Sequence, residues 1–275
     1  MRGITHDRER NMLPILNIAI RAARQFNEYV NLTVDKREHS SSDVEADMRL
    51  VHHLEATFFQ TLMDALKKGY PTHYVAAPGE QLSEPKEDSW HFYGFDNETH
   101  LLRKLPDTVY SFVYKRSGKI YSAIIMNPYT GAEYTATKGG GATINGRRMR
   151  ASNTTSLANA YVTTDAMSHF NHRAEDHVLS DLIAELNNAT GNTRASGCTT
   201  LDLAMVATGQ LEAVVALDVE IESLAAPLLM CQECGVLTGT LSGALLNDKS
   251  GSIIAANPKL FKALVQRLAT YEGKL

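Results

Sequence analysis

Three groups of residues in this chain have the types and spacing to carry chemistry. The first is an acidic step, Asp96 and Glu98, that closes the aromatic run Trp90-His91-Phe92-Tyr93-Gly94-Phe95. The second is His52-His53-Leu54-Glu55, whose side chains suit a metal ion. The third is Cys231-Gln232-Glu233-Cys234, a C-x-x-C spacing used in zinc and redox sites. The last two have simpler readings. Adjacent histidines on a helix point about 100° apart, so His52 and His53 are read as a solvated face. A lone C-x-x-C within a helix lacks the second pair of a zinc site and any thioredoxin-like βαβ context, so Cys231 and Cys234 are read as free buried cysteines. The acidic step is also ordinary by itself, because Asp and Asn turn a chain by bonding their own backbone.

Bulk properties narrow the class. A chain of 275 residues with 44% hydrophobic content can bury a sizeable core, as one large domain or two lobes. The net charge of −4 argues against a dominant nucleic-acid footprint, which needs a basic surface. No groove of interleaved basic and aromatic residues is evident, so direct nucleic-acid binding is not expected. No apolar run approaches the roughly 18–20 residues needed to cross a bilayer, and Met1 to Asn11 is charged without a signal-peptide apolar region. Three cysteines make no disulfide framework. A cytoplasmic setting without membrane contact is expected.

The elements that must position the candidate residues follow from periodicity. Leu16, Ile18, Ala19, Ala22, Ala23 and Phe26 recur at helical spacing and predict a helix from Met12 to about Val30. A second helix is expected from Ser42-Asp43, good N-cap types, to Lys68, where Gly69-Tyr70-Pro71 stops it. Strands are expected over 72–77, the Trp90 run, 109–113, 119–126 and 133–137, with a hairpin turn at Asn145-Gly146. Beyond a lobe boundary near 152–157, strands (160–164, 211–217, 252–256) alternate with helices (176–187, 201–208, 224–234, 258–271), an α/β pattern. The expected lobes are 1–152 and 153–275.

These pieces, in this order, resemble the inositol monophosphatase family. Trp90 to Pro106 keeps the frame of its W-x-x-D-P-L-D-G-T-x-N-F…L-P motif. Met12 to Arg24 looks like the first helix of the bacterial SuhB-type members, and Tyr70-Pro71-Thr72-His73 like the segment before the family's Gly-Glu-Glu loop. Asn127-Pro128, Thr135 to Ala142 and Ile144-Asn145-Gly146 are similar to its central hairpin. Ser196-Gly197, Leu201-Asp202-Leu203-Ala204 and Val206-Ala207-Thr208-Gly209 are similar to its substrate-side turn and helix. The resemblance implies a two-lobed, layered α-β-α-β-α fold of mixed α+β and α/β character, and a homodimer. In active members carboxylates from both lobes hold Mg²⁺ ions around a phosphate monoester. Such ions polarise the phosphoryl oxygen and lower the pKa of the attacking water.

Carried over residue by residue, the resemblance implies a degraded site. Asp96 keeps a catalytic and metal-ligating position, and Glu98 stands where a threonine orients the nucleophilic water. Tyr93 replaces the other aspartate of the motif, Gly94 its proline, and Asn97 its glycine. The Gly-Glu-Glu loop matches 77–79 or 79–81; either way its second glutamate is missing, leaving Glu80 as a weak metal candidate and Gln81 as a lost ligand. Ala216 stands for the substrate-contacting acid and Ser223 for a metal-binding aspartate, with Ser223 expected as a helix N-cap. Gly197, Cys198 and Thr199 take the substrate-binding turn. An aspartate of the second helix matches either Asp47 or Glu55, depending on an apparent insertion near 48–56.

The expectation is therefore a pseudoenzyme with a binding or regulatory role. It would have no cofactor, or Mg²⁺ if activity remains, and a protein partner in transcription or ribosome assembly, as SuhB-type members have. The alternative is a diverged Mg²⁺-dependent phosphomonoesterase acting on inositol monophosphate, a sugar phosphate or 3′-phosphoadenosine 5′-phosphate. Glu80, Glu84, Glu98 and Glu222 are the acids from which such a site could be rebuilt.

Overall fold

The computed structural model describes residues 12–37, 43–77, 80, 82–170 and 177–275. They fall into two compact units, Met1–Ala132 and Glu133–Leu275. The boundary anticipated at 152/153 thus lies inside the second unit. The hairpin that begins at Glu133 groups with the C-terminal part because Gly139 and Gly141 donate their N–H groups to the Glu233 carboxylate at 2.8 and 2.9 Å.

The first unit opens with helices α1 (Met12–Asp35) and α2 (Val44–Lys67). Helix α2 starts where the sequence placed it: the Asp43 side chain accepts the Ala46 N–H at 3.0 Å, satisfying one of the orphan donors of the first turn. The sheet follows, with β1 (Tyr74–Val75), β2 (Asp88–Asp96), the short helix α3 (Glu98–Leu102), β3 (Val109–Arg116) and β4 (Lys119–Met126). Strand β1 runs parallel to β2, and β2, β3 and β4 are antiparallel neighbours. Only two residues of the strand expected over 72–77 pair. Ala76 still donates its N–H to the Trp90 carbonyl at 2.9 Å, and the chain leaves the strand at Ala77, whose N–H goes to Glu80. The buried faces of α1 and α2 meet the sheet through aromatic rings: Phe58 lies 4.8 Å from Phe92 and 5.1 Å from both Tyr110 and Phe112, and 5.0 Å from Phe26. Rings at such separations add about 0.5–1.5 kcal/mol per pair beyond the area they bury.

In the second unit, β5 (Glu133–Thr137), β6 (Gly141–Ile144) and β7 (Arg147–Arg148) form an antiparallel meander turned at Asn145 and Gly146, both with positive φ. A five-stranded sheet follows in the order β11 (Leu237–Gly239), β12 (Ser252–Ala256), β10 (Ala213–Leu217), β8 (Tyr161–Thr164) and β9 (Asn192–Arg194). Strands β8, β9 and β10 are parallel; β12 is antiparallel to its neighbours. Its helices are α4 (Ala166–Phe170), α5 (His177–Ala189), α6 (Thr199–Thr208), α7 (Ala225–Cys234) and α8 (Pro258–Leu268). Gly209 and Gly235 close α6 and α7 in the left-handed conformation, the usual role of glycine after a helix. The core gathers Leu182 and Leu186 of α5, Val162, Val215 and Ile254 of the sheet, and Leu260, Leu264 and Leu268 of α8. Strand β10 is buried along its whole length, as expected for a strand covered on both faces.

Candidate functional site

In the first unit the acidic step sits where β2 ends. Pairing shifts between Phe92 and Phe95, so Tyr93 and Gly94 form a bulge opposite a single residue of β3. Gly94 has φ +73°. A glycine inside a strand pattern is the sequence signal of such a bulge. Asp96 is the last residue of β2. Asn97, at φ 66°, caps α3 by accepting the His100 N–H at 3.0 Å. The Asp96 and Asn97 carbonyls accept the Thr108 hydroxyl at 3.0 and 3.2 Å. Glu98, exposed, opens α3.

Beside this turn stands a residue the sequence left as one of two options. Glu55 packs against Gly94: a Cβ placed there would lie 2.5 Å from Glu55 Oε1. Burial raises the Glu55 carboxyl above the usual range, the Phe95 N–H it accepts draws it back, and Glu98 pushes it up further. Asp47 faces elsewhere, in a two-point pair with Arg37 at 2.7 and 2.6 Å. The expected solvated face is seen in part: His52 and His53 are exposed, and His53 Nε2 meets the Tyr29 hydroxyl at 2.8 Å.

The other acids of the first unit are placed differently. Glu80 accepts the Tyr74 hydroxyl at 2.6 Å and the Ala77 N–H at 2.8 Å. The Tyr74 bond, then the Ala77 bond, hold its carboxyl below the usual range. Glu84 is exposed. Lys115 Nζ lies 5.9 Å from the Tyr93 ring centre. Gln81 lies outside the described residues.

In the second unit Gly197, Cys198 and Thr199 occupy one turn. Gly197 has φ +73°, Cys198 is buried and its N–H donates to Ser196 Oγ at 3.0 Å, and Thr199 starts α6. The anchor of this turn is Asp202, whose place in a helix motif gives no local sign of that role. Buried, it accepts the Ser196 hydroxyl, the Thr163 hydroxyl at 2.7 Å and an Arg194 N–H at 3.1 Å. Burial raises its carboxyl and these donors lower it. Ala216 is buried in β10 opposite Ile253. Ser223 is not a helix cap. Its hydroxyl donates to the Glu220 carbonyl at 2.7 Å within a turn, and Leu224, with no side-chain cap, precedes α7. Glu222 is exposed in the same turn.

A further polar group lies at the ends of β8 and β10. Asp165 accepts the Leu217 N–H at 2.9 Å, and His169 Nε2 and Nδ1 face Asp165 at 3.7 Å and Asp218 at 3.4 Å. Burial pushes the Asp165 carboxyl up to about 6, against the Leu217 N–H and His169. Cys231 is buried and Cys234 partly so; burial raises both thiols, Cys234 to about 11, which leaves little thiolate at neutral pH. Among the described residues no group of three or more His, Cys, Asp or Glu side chains is arranged to hold a metal ion, and no helix is long and apolar enough to cross a membrane.

Comparison with known proteins adds a frame. The profile of the inositol monophosphatase family matches residues 111–272. The protein named Nus factor SuhB of Pseudomonas aeruginosa is 31% identical over 258 residues, covering 92% of this chain and 95% of its own. Its namesake in Escherichia coli is 25% identical over 261 residues, with 94% and 96% covered. Among solved structures, extragenic suppressor protein SuhB of Bartonella henselae superposes with a TM-score of 0.77 at 22% identity, covering 94% of this chain and 99% of that one. Inositol monophosphatase II of Staphylococcus aureus does so with 0.77 at 18% identity, with 95% and 98% covered. These two share the fold.

Proposed function

Because the chain belongs to the inositol monophosphatase family, we propose that it is a member whose Mg²⁺-dependent phosphatase site has decayed and which acts by binding. Its working form is a cytoplasmic homodimer. Its partner is a protein of the transcription machinery, in keeping with the Nus factor name of its relatives.

The observation that carries this reading is the engagement of Glu80. Mg²⁺ demands several hard oxygen ligands near octahedral geometry, and Glu80 is bound within its own loop, each of its oxygens accepting one hydrogen bond, from Tyr74 and from Ala77. The remaining positions agree with it. Ala216 offers no oxygen in its side chain, the Ser223 hydroxyl is turned onto Glu220, and Tyr93 carries a phenol in place of a carboxylate. Neither unit by itself offers, at these positions, the set of carboxylates that a pair of magnesium ions requires. What this chain's residues do instead is hold their own loops.

A second reading has one observation in its favour: Glu55 packs against the bulge at Gly94, two residues before Asp96, and its carboxyl is raised by burial and, to a lesser degree, by Glu98. On that reading the protein is a diverged phosphomonoesterase. Release of phosphate from inositol monophosphate, sugar phosphates and 3′-phosphoadenosine 5′-phosphate, with and without Mg²⁺, separates the two. Turnover on the order of 1 s⁻¹ or more, abolished by Asp96→Asn, would overturn the binding role. Affinity capture from native lysate tests the partner: recovery of no transcription or ribosomal protein would count against it. Light scattering on the purified chain tests the dimer.

A further inference from the structure

The meander β5–β7 concentrates positive charge in a chain of net charge −4: residues 133–150 carry Lys138, Arg147, Arg148 and Arg150 against a single acid, Glu133. All four cations are exposed, and among the described residues none has its side chain in an ion pair or a hydrogen bond. By contrast Arg37, Arg49, Arg116, Arg194 and Arg267 each face a carboxylate. The platform under the cations is fixed. Gly139 and Gly141 donate to Glu233, and Asn145 Oδ1 accepts the Glu133 N–H at 2.9 Å. Thr135, Thr143 and Arg148 stand opposite one another in register, one row across three strands. The two hydroxyls meet at 2.9 Å, which uses one of their protons and leaves the other to donate. The Arg148 guanidinium lies across Gly141, where an added Cβ would stand 3.6 Å from its Nη2. Strand β7 is the last in its sheet and pairs with β6. The Met149 N–H goes to the Ala142 carbonyl, so the alternation of an antiparallel pair turns the Arg148 N–H and C=O away from β6. Successive strand residues point to opposite faces, so Arg147 and Arg148 flank this edge on its two sides.

We propose that the β7 edge is a docking surface for an extended protein segment rich in Asp and Glu. The inference deepens the binding role proposed above and rests on it. A guanidinium offers two parallel N–H groups that match a carboxylate, and an arginine without an ion pair breaks none when it takes up a ligand. An incoming strand can bond the outward Arg148 N–H and C=O, as in strand addition. Its alternating side chains then bring carboxylates to both sides of the edge, where Arg147 and Arg148 stand. Another copy of this chain is the occupant that an open edge otherwise invites, and here it would set like charges side by side. Nucleic acid fits less well. Single strands are held by stacking on exposed aromatic rings, and the one aromatic residue of 133–150, Tyr134, is buried. A long polyanion would also meet the negative charge of the chain beyond this edge.

Fluorescence anisotropy with the full chain tests it. The probes are a labelled twelve-residue peptide repeating Glu-Glu-Thr-Thr, its counterpart with Gln for Glu, and a single-stranded RNA of the same length. The acidic peptide is expected to bind roughly tenfold or more tighter than the glutamine one, and to weaken as salt rises. Arg147→Glu with Arg148→Glu should weaken it by about tenfold or more. Lys259→Glu with Lys262→Glu, the same charge change on exposed residues of α8, should alter it by less than about twofold. No binding of the acidic peptide overturns the proposal, as does an equal loss in the α8 variant. RNA bound more tightly than the peptide through the same arginines also overturns it, assigning the edge to nucleic acid. If circular dichroism shows that the arginine variant is unfolded, Lys138→Gln with Arg150→Gln decides: weaker binding supports the surface and unchanged binding overturns it. Affinity capture separates this inference from the binding role. A partner recovered equally by the unaltered chain and the folded arginine variant overturns the surface and leaves the binding role standing.

Discussion

The Glu55 carboxylate lies where a side chain on residue 94 would stand. An ideal Cβ at Gly94 would meet Glu55 Oε1 at 2.5 Å, and Gly94 is at φ +73°. These are two separate demands for glycine, one steric and one conformational. They separate in an experiment. Gly94→Ala should cost about 2 kcal/mol or more, from the left-handed penalty of about 1–2 kcal/mol plus the clash. Adding Glu55→Ala should recover part of that loss, with a coupling of about 1 kcal/mol for residues in contact. Urea denaturation of the two single variants and the double variant measures it; strict additivity would show that the carboxylate does not press on residue 94.

Magnesium should leave the fold nearly indifferent. A site at 100-fold saturation would stabilise the native state by about 2.7 kcal/mol, worth several degrees in a chain of this size. With Glu80 engaged locally and neutral groups at Tyr93, Ser223 and Ala216, millimolar Mg²⁺ should raise Tm by less than about 1 °C. Thermal unfolding with Mg²⁺ and with EDTA checks this. A clear rise that EDTA removes and Asp96→Asn abolishes would show a working ion site.

His73 should make the first unit sensitive to acid. Trp90 Nε1 donates to its Nδ1 at 3.4 Å, and its ring stacks on Tyr114 at 5.7 Å. Burial lowers its pKa, Asp88 opposes this and Arg116 adds to it. A histidine whose folded pKa lies below the unfolded value favours its neutral form. Its contribution to stability is therefore present above the unfolded pKa, near 6.5 for a free histidine, and is lost as pH falls through the folded one. Unfolding midpoints in urea from pH 8 to pH 5 should decline in the unaltered chain and decline less in His73→Gln. Equal slopes would rule His73 out as the cause.

Asp202 should be the most costly carboxylate to remove. Asp202→Ala leaves the Thr163 and Ser196 hydroxyls and the Arg194 guanidinium without their shared acceptor. Breaking a buried pair from one side costs about 3–5 kcal/mol. Calorimetry should show a large fall in Tm, accompanied by loss of exchange protection at 196–199. Asp202→Asn, which keeps an acceptor, should fall less. A loss under about 1 kcal/mol for the alanine variant would mean the network contributes little.

Much of the architecture is local and was legible in the sequence by itself. The long helices follow from apolar spacing, and the Asp43 cap, the Asn145-Gly146 turn and the terminating glycines Gly209 and Gly235 follow from backbone preferences of single residues. Residue chemistry alone also determines that Tyr93 and Ser223 offer hydroxyls and Ala216 no polar group, wherever they point. What only the tertiary structure decided is where the surviving polar groups are spent. Asp47 and Glu55 are both acids on one helix; Arg37 takes the first, and the bulge at Gly94 takes the second from a strand about forty residues along the chain. Ser223 suits an N-cap by type, yet the turn at Glu220 claims its hydroxyl first. Asp202 looks like one more helix residue until Thr163, Arg194 and Ser196 converge on it from a strand and a turn. A side chain's intrinsic preference is set by its neighbours in sequence, but a buried hydrogen bond is worth most where distant segments exclude water around it, and that choice is made only when the chain has folded.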